Sequence, residues 1–156
     1  MRTAEQLRYL VLAAQLEGRR QWSRALRPLG LTPSQAEVLR VLQDHGPASL
    51  GTVGTLLVCE TGTNPSRLVD RLVDRGLVER QPDASDARAV VLSLTPAGVT
   101  HADQVQDLES AMYDHLDGIA GDDAPAAIRF LRNYVDGTPV GDSFQRREHH
   151  GSIGSR

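Results

Sequence analysis

The segment GLVERQPDASDARAVVLSLTPAG, residues 76–98, leaves the chain few options. Two runs, LVERQ at 77–81 and AVVLSL at 89–94, read as strands. The link PDASDAR between them is too short for anything but a hairpin, with Pro82 and Asp83 expected to reverse the chain. Thr95 and Pro96 then open a helix, Thr95 as its cap and Pro96 at its first position.

Helical grammar flanks this hairpin on both sides. Upstream, NPSRLVDRLVDRG has Asn64 as cap, Pro65 as first helical residue and Gly76 as terminator. Leu68, Val69, Leu72 and Val73 form its apolar stripe, and Ser66, Arg67, Asp70, Arg71 and Asp74 its polar face. LTPSQAEVLRVLQDHG starts at Thr32 and Pro33, with Gln35 as capping-box partner, and ends at Gly46. Residues 49–58 suit a shorter helix, weakened by Gly51 and Gly54.

The two ends of the chain carry longer amphipathic patterns. From Thr3 to about Leu26, Leu7, Leu10, Val11, Ala14, Trp22 and Leu26 recur at helical spacing. After Pro96, Val105, Leu108, Met112, Leu116 and Ile119 follow the seam spacing of helices that pack along each other. GDD at 121–123 breaks that helix, and APAAIRFLRNYV makes another. From Gly137 the composition turns to Gly, Ser, Arg and His without periodicity, which predicts a disordered tail over 137–156.

At 156 residues and 40% apolar content, the chain can bury one core with helical extensions, not two large domains. No apolar run approaches the roughly 18 residues that span a bilayer, and the N-terminus lacks a leader pattern, so a cytoplasmic protein without membrane contact is expected. The single cysteine, Cys59, fits a reducing compartment. A net charge of −3 means that any nucleic-acid contact must come from a local surface. All 17 basic residues are arginine, so each such contact is made by a planar guanidinium able to bond bidentately.

A short helix, a turn, a second helix and an antiparallel hairpin make the plan of a winged helix-turn-helix. The expected fold is mainly α with a small antiparallel β wing: a DNA-binding domain over 31–95, with helical dimerisation regions at 1–30 and 96–136. The motifs LTPSQAEVLRVL, SRLVDRLVDRGLVER and DARAVVLSLTPAG resemble those of the MarR family, multiple antibiotic resistance regulators that share a D-x-R…LT-x-x-G wing signature.

That resemblance implies a homodimeric transcriptional repressor on double-stranded DNA, not an enzyme. The helix at 63–75 would enter the major groove, with Thr63, Asn64, Ser66, Arg67 and Arg71 facing bases or phosphates. Arg88 would reach into the minor groove, oriented by Asp86. Relatives often carry a second arginine where this chain has Ala87, so one wing contact is missing. Between Thr61 and Val90, five arginines meet five acidic residues, so affinity must rest on geometry and on the dimer.

The resemblance further implies a small aromatic or phenolic effector in a cleft, with Tyr9, Trp22 and His45 as possible liners, although Trp22 sits on the apolar stripe and reads first as core. Cys59 is the one candidate for oxidant sensing; its place beside Glu60 favours a buried, inert thiol. The five histidines show no metal-ligand spacing, and the sequence calls for no cofactor. Two other readings remain: a winged helix used only for protein contacts, and a thiol-based oxidant sensor through Cys59.

Overall fold

The computed structural model describes residues 1–59, 65–83 and 89–151. The chain divides into two units, Met1–Pro33 and Ser34–Arg156. The first unit is a single long helix, α1 (Thr3–Leu26), as its periodicity predicts. The backbone N–H of Arg2 donates to Glu5 at 3.3 Å, which satisfies an orphan donor at the helix start. At the other end a 3-10 turn, Arg27–Leu29, closes on Gly30. Leu26 is buried, but Leu7, Tyr9, Leu10, Leu12 and Leu16 are exposed.

The second unit opens one residue into α2 (Pro33–His45), followed by strand β1 (Ala48–Ser49), α3 (Leu50–Leu56) and α4 (Ser66–Asp74). Strands β2 (Val78–Pro82) and β3 (Val90–Leu94) follow, then α5 (Pro96–Ala120), α6 (Ala124–Val135) and α7 (Pro139–Gly151). The core draws on Val38, Leu39, Val41 and Leu42 of α2, Val53 and Leu56 of α3, Val69 and Leu72 of α4, and Leu92 of β3. Each of these elements is too short to persist alone, so their shared burial supplies most of the stability.

Three boundaries differ from the sequence reading. The hairpin is part of a three-stranded antiparallel sheet ordered β1-β3-β2, with Ala48 opposite Leu92 and Ser49 opposite Val91. A two-residue strand carries no alternation that a sequence could reveal. Pro82 still belongs to the ladder, opposite Val90, and Asp83 donates its N–H to the Ala89 carbonyl at 2.9 Å. Pro82 and Asp83 are therefore paired across the hairpin and do not themselves reverse the chain. Proline is tolerated there because β2 is the edge strand.

Third, the predicted disordered tail contains a helix. α7 begins with Thr138 and Pro139, the same Thr-Pro start that opens α2 and α5. Thr138 Oγ1 donates to the Val135 carbonyl at 2.6 Å and accepts from Gly141 N–H at 3.2 Å, and Ser143 is buried. Residues 152–156 lie outside the described ones.

A polar staple ties α2 to α5. Arg40 donates through Nε to Glu109 at 3.0 Å, with both side chains almost fully covered, and pairs with Asp44 at 3.2 Å. Gln43 donates to Asp103 at 2.5 Å on the same face.

One corner joins α4, β2 and α5. Gly76, at φ 68°, ends α4 in a Schellman motif: its N–H reaches the Val73 carbonyl at 2.8 Å, and Leu77 N–H reaches Leu72 at 3.0 Å. Thr95 Oγ1 donates to the Gly76 carbonyl at 2.6 Å and accepts from Gly98 N–H at 3.0 Å, while Thr95 N–H reaches the Leu77 carbonyl at 3.1 Å. A Cβ on Gly98 would stand 1.9 Å from the Leu77 oxygen. Gly98→Ala is therefore expected to lower the free energy of unfolding by about 1–3 kcal/mol, the usual range for overpacking. Urea titration checks this, and an unchanged midpoint would show that the corner can yield.

Candidate nucleic-acid interface

The helix predicted over 63–75 is described from Ser66, with Pro65 in the cap position at φ −71° and its carbonyl accepting from Val69 N–H at 3.0 Å. The start thus falls one residue later than the Asn64-Pro65 grammar suggested. Val69 and Leu72 are buried beneath α4, so its apolar stripe holds the helix down and sets which side faces out. Arg67 and Arg71, one turn apart, are exposed on that outer side.

Electrostatics keeps these two arginines available. Asp70, the acidic neighbour three residues after Arg67, pairs instead with Arg80 of β2 at 2.5 Å. Neither the Arg67 nor the Arg71 side chain has a hydrogen-bond or ion-pair partner among the described residues. Ser66 is half-buried at the start of the same helix. Thr63, Asn64, Asp86 and Arg88, with Ala87 between the last two, lie outside the described residues.

A buried carboxylate that the sequence reading passed over fixes the turn leading to α4. Glu37 on α2 accepts Val58 N–H at 2.8 Å through Oε1 and Cys59 N–H at 2.9 Å through Oε2. Arg147 of α7 donates to the same Oε1 at 2.8 Å. A buried charge is stable when it is paired and fully hydrogen-bonded, and Glu37 meets both conditions. Nearby, Arg146 donates to the Thr55 carbonyl at 3.0 Å and to Ser143 at 3.1 Å, so α7 grips the last turn of α3. The only sequence signal for this hub was an acidic residue inside an otherwise apolar stretch of α2.

Cys59 is exposed, contrary to the buried thiol expected from its neighbours. Its backbone N–H is held by Glu37 at 2.9 Å. Of the proposed cleft liners, two lie in the first unit and one in the second. Tyr9 is half-exposed and Trp22 partly buried on α1, whereas His45 ends α2 with Nδ1 at 3.1 Å from the Val41 carbonyl.

Residues 31–98 match the model of a winged helix DNA-binding domain. MarR of Salmonella typhimurium is 31% identical over 96 residues, which cover 58% of this chain and 66% of that protein. A solved cysteine-to-serine mutant of E. coli MarR, complexed with operator DNA, superposes with a TM-score of 0.69 at 26% identity, over 83% of this chain and 93% of that one. The repressor CouR, solved on a 23-mer DNA duplex, reaches a TM-score of 0.71 at 27% identity, over 85% and 93%.

The chain belongs to the MarR family. It is a winged-helix transcriptional regulator of that type, and within the MarR fold α3 and α4 form the helix-turn-helix and β2–β3 the wing. No described helix is long and apolar enough to cross a membrane. Removing the Glu37 hub is expected to loosen the turn: Glu37→Ala leaves two backbone donors and Arg147 without their acceptor, a cost of roughly 1–3 kcal/mol. Hydrogen exchange at the Val58 and Cys59 amides should accelerate, and unaltered protection of both would show that the turn does not depend on this carboxylate.

Proposed function

We propose that this MarR-family chain is a homodimeric repressor that binds a pseudo-palindromic operator and is released by a small ligand. The observation that carries the reading is the pair Arg67 and Arg71, exposed on one face of α4 while Asp70 is drawn away to Arg80. Two guanidiniums one helical turn apart can bond bidentately to guanine edges or hold phosphates in the major groove. Thr63, Asn64 and Ser66 would add contacts at the helix start, and Arg88, steadied by Asp86, a minor-groove contact from the wing. The structures of MarR on operator DNA and of CouR on a 23-mer DNA duplex support the same reading.

Dimerisation follows from the uncovered apolar faces. Leu116 and Ile119 of α5, Ile128, Leu131 and Tyr134 of α6, and the α1 leucines are all exposed in the single chain. Helices with such faces are stable in water when a second copy covers them, and a two-fold dimer sets two recognition helices on successive turns of DNA. The released state would be favoured by an aromatic or phenolic effector.

Fluorescence titration with DNA from upstream of the protein's own gene tests this. Arg67→Ala and Arg71→Ala should each weaken binding by about ten- to a hundredfold, the value of a lost bidentate pair. Arg88→Ala should weaken it on an A·T-flanked site while sedimentation still shows the dimer. Absence of salt-sensitive binding at low micromolar protein would overturn the repressor reading.

A further inference from the structure

Two consecutive arginines of α7 close on the link between α3 and α4, although α7 lies outside the matched winged helix domain, which ends at residue 98. Arg146 donates to the Thr55 carbonyl in the last turn of α3. Arg147 donates to Glu37, whose carboxylate holds the Val58 and Cys59 amides just past α3. α7 is itself firmly seated. A Cβ on Gly141 would stand 2.2 Å from the Val135 carbonyl oxygen, so the backbones of α6 and α7 meet there, and Arg132 of α6 pairs with Glu148.

What this clasp holds bears directly on α4. A Cβ on Gly54, the neighbour of Thr55, would lie 3.1 Å from Cγ of Pro65, the cap residue of α4, so α3 and the start of α4 are in contact. Beyond that contact, α4 is held by its buried Val69 and Leu72. A displacement of α3 or of the Val58–Cys59 backbone is therefore passed to the start of α4, and with it to Arg67.

Arg147 supplies the charge on which the clasp depends. The Glu37 side chain is 7% exposed, and Arg147 is its one cationic partner among the described residues. Without that partner, two neutral amides must carry a buried negative charge, and the carboxylate gains by turning toward water and releasing them. The bond uses a single guanidinium nitrogen, so a lysine ammonium can take its place.

We propose that Arg147 is a positioning residue for operator binding: it neutralises Glu37, Glu37 fixes the link, and the link sets the pose in which α4 meets DNA. The residue itself makes no DNA contact. Base readout needs α4 closely placed, whereas the non-specific attraction of arginines to phosphate does not. The inference rests on the operator-binding reading above and adds to it a residue outside the winged domain.

The full-length native protein, Arg147→Ala and Arg147→Lys are to be titrated against DNA from upstream of the protein's own gene and against an unrelated duplex, with hydrogen exchange on the same proteins. Arg147→Ala should weaken operator binding by about three- to thirtyfold, the range of coupling carried through packed networks. Its affinity for the unrelated duplex, its salt dependence and its thermal midpoint should stay native, while exchange at the Val58 and Cys59 amides accelerates. Arg147→Lys should restore both operator affinity and amide protection. A salt slope lower by about one in Arg147→Ala overturns the proposal, because Arg147 would then be binding a phosphate. So do native operator affinity, unaltered protection of the two amides, or an equal loss on both duplexes together with a lowered thermal midpoint, which marks a residue that only holds the fold together. If the native protein shows no salt-sensitive DNA binding, the repressor reading is what fails, and exchange at the two amides in Arg147→Ala still decides whether Arg147 holds the link.

Discussion

Thr95 ties together three elements, α4, β2 and α5. Its hydroxyl closes the end of α4 at Gly76 and starts α5 at Gly98, and its backbone N–H binds Leu77 as the chain enters β2. The helix α4, the wing and the long helix α5 therefore share one origin a few ångströms across. An orientation error at any of them would be passed to the others, because no flexible linker absorbs it. Such rigidity suits a protein that must present several side chains to a fixed nucleic-acid geometry.

A second level of organisation links that rigid corner to the rest of the unit. Arg40 and Glu109 form a nearly desolvated pair between α2 and α5, where the loss of either partner leaves an uncompensated charge. Glu37 does the equivalent work between α2, the turn after α3, and α7. The same helix, α2, therefore carries an apolar face for the core and polar attachments at two places. Its register is fixed by charge as well as by packing. Helix α4 hangs from this frame by Val69 and Leu72 alone among its buried residues, which leaves its outer face to electrostatics.

Most of the architecture was legible in the sequence because it is written in local signals. Thr95-Pro96, Gly76 and the alternation of AVVLSL act within a few residues of themselves, and each marks an element where the structure has one. What escaped was non-local or compositionally disguised. β1 exists only because β3 lies beside Ala48 and Ser49. α7 was announced by Thr138-Pro139, but the polar run that follows hid it, since its hold on the fold comes from Arg146 and Arg147 more than from an apolar stripe. At the interface, sequence spacing could place Arg67 and Arg71 on one face, yet could not reveal that Asp70 turns to Arg80 across the chain.

The edge position of Pro82 has a consequence for how copies of the chain can meet. An edge strand offers its unpaired N–H and C=O groups to any other strand, which is the commonest start of unwanted β-assembly. β2 is that edge here, and its last residue has no N–H to give. Glu79, Arg80 and Gln81 before it are exposed and polar. The sheet is thereby closed to lateral growth on its outer side, which leaves the proposed dimer to the apolar helices.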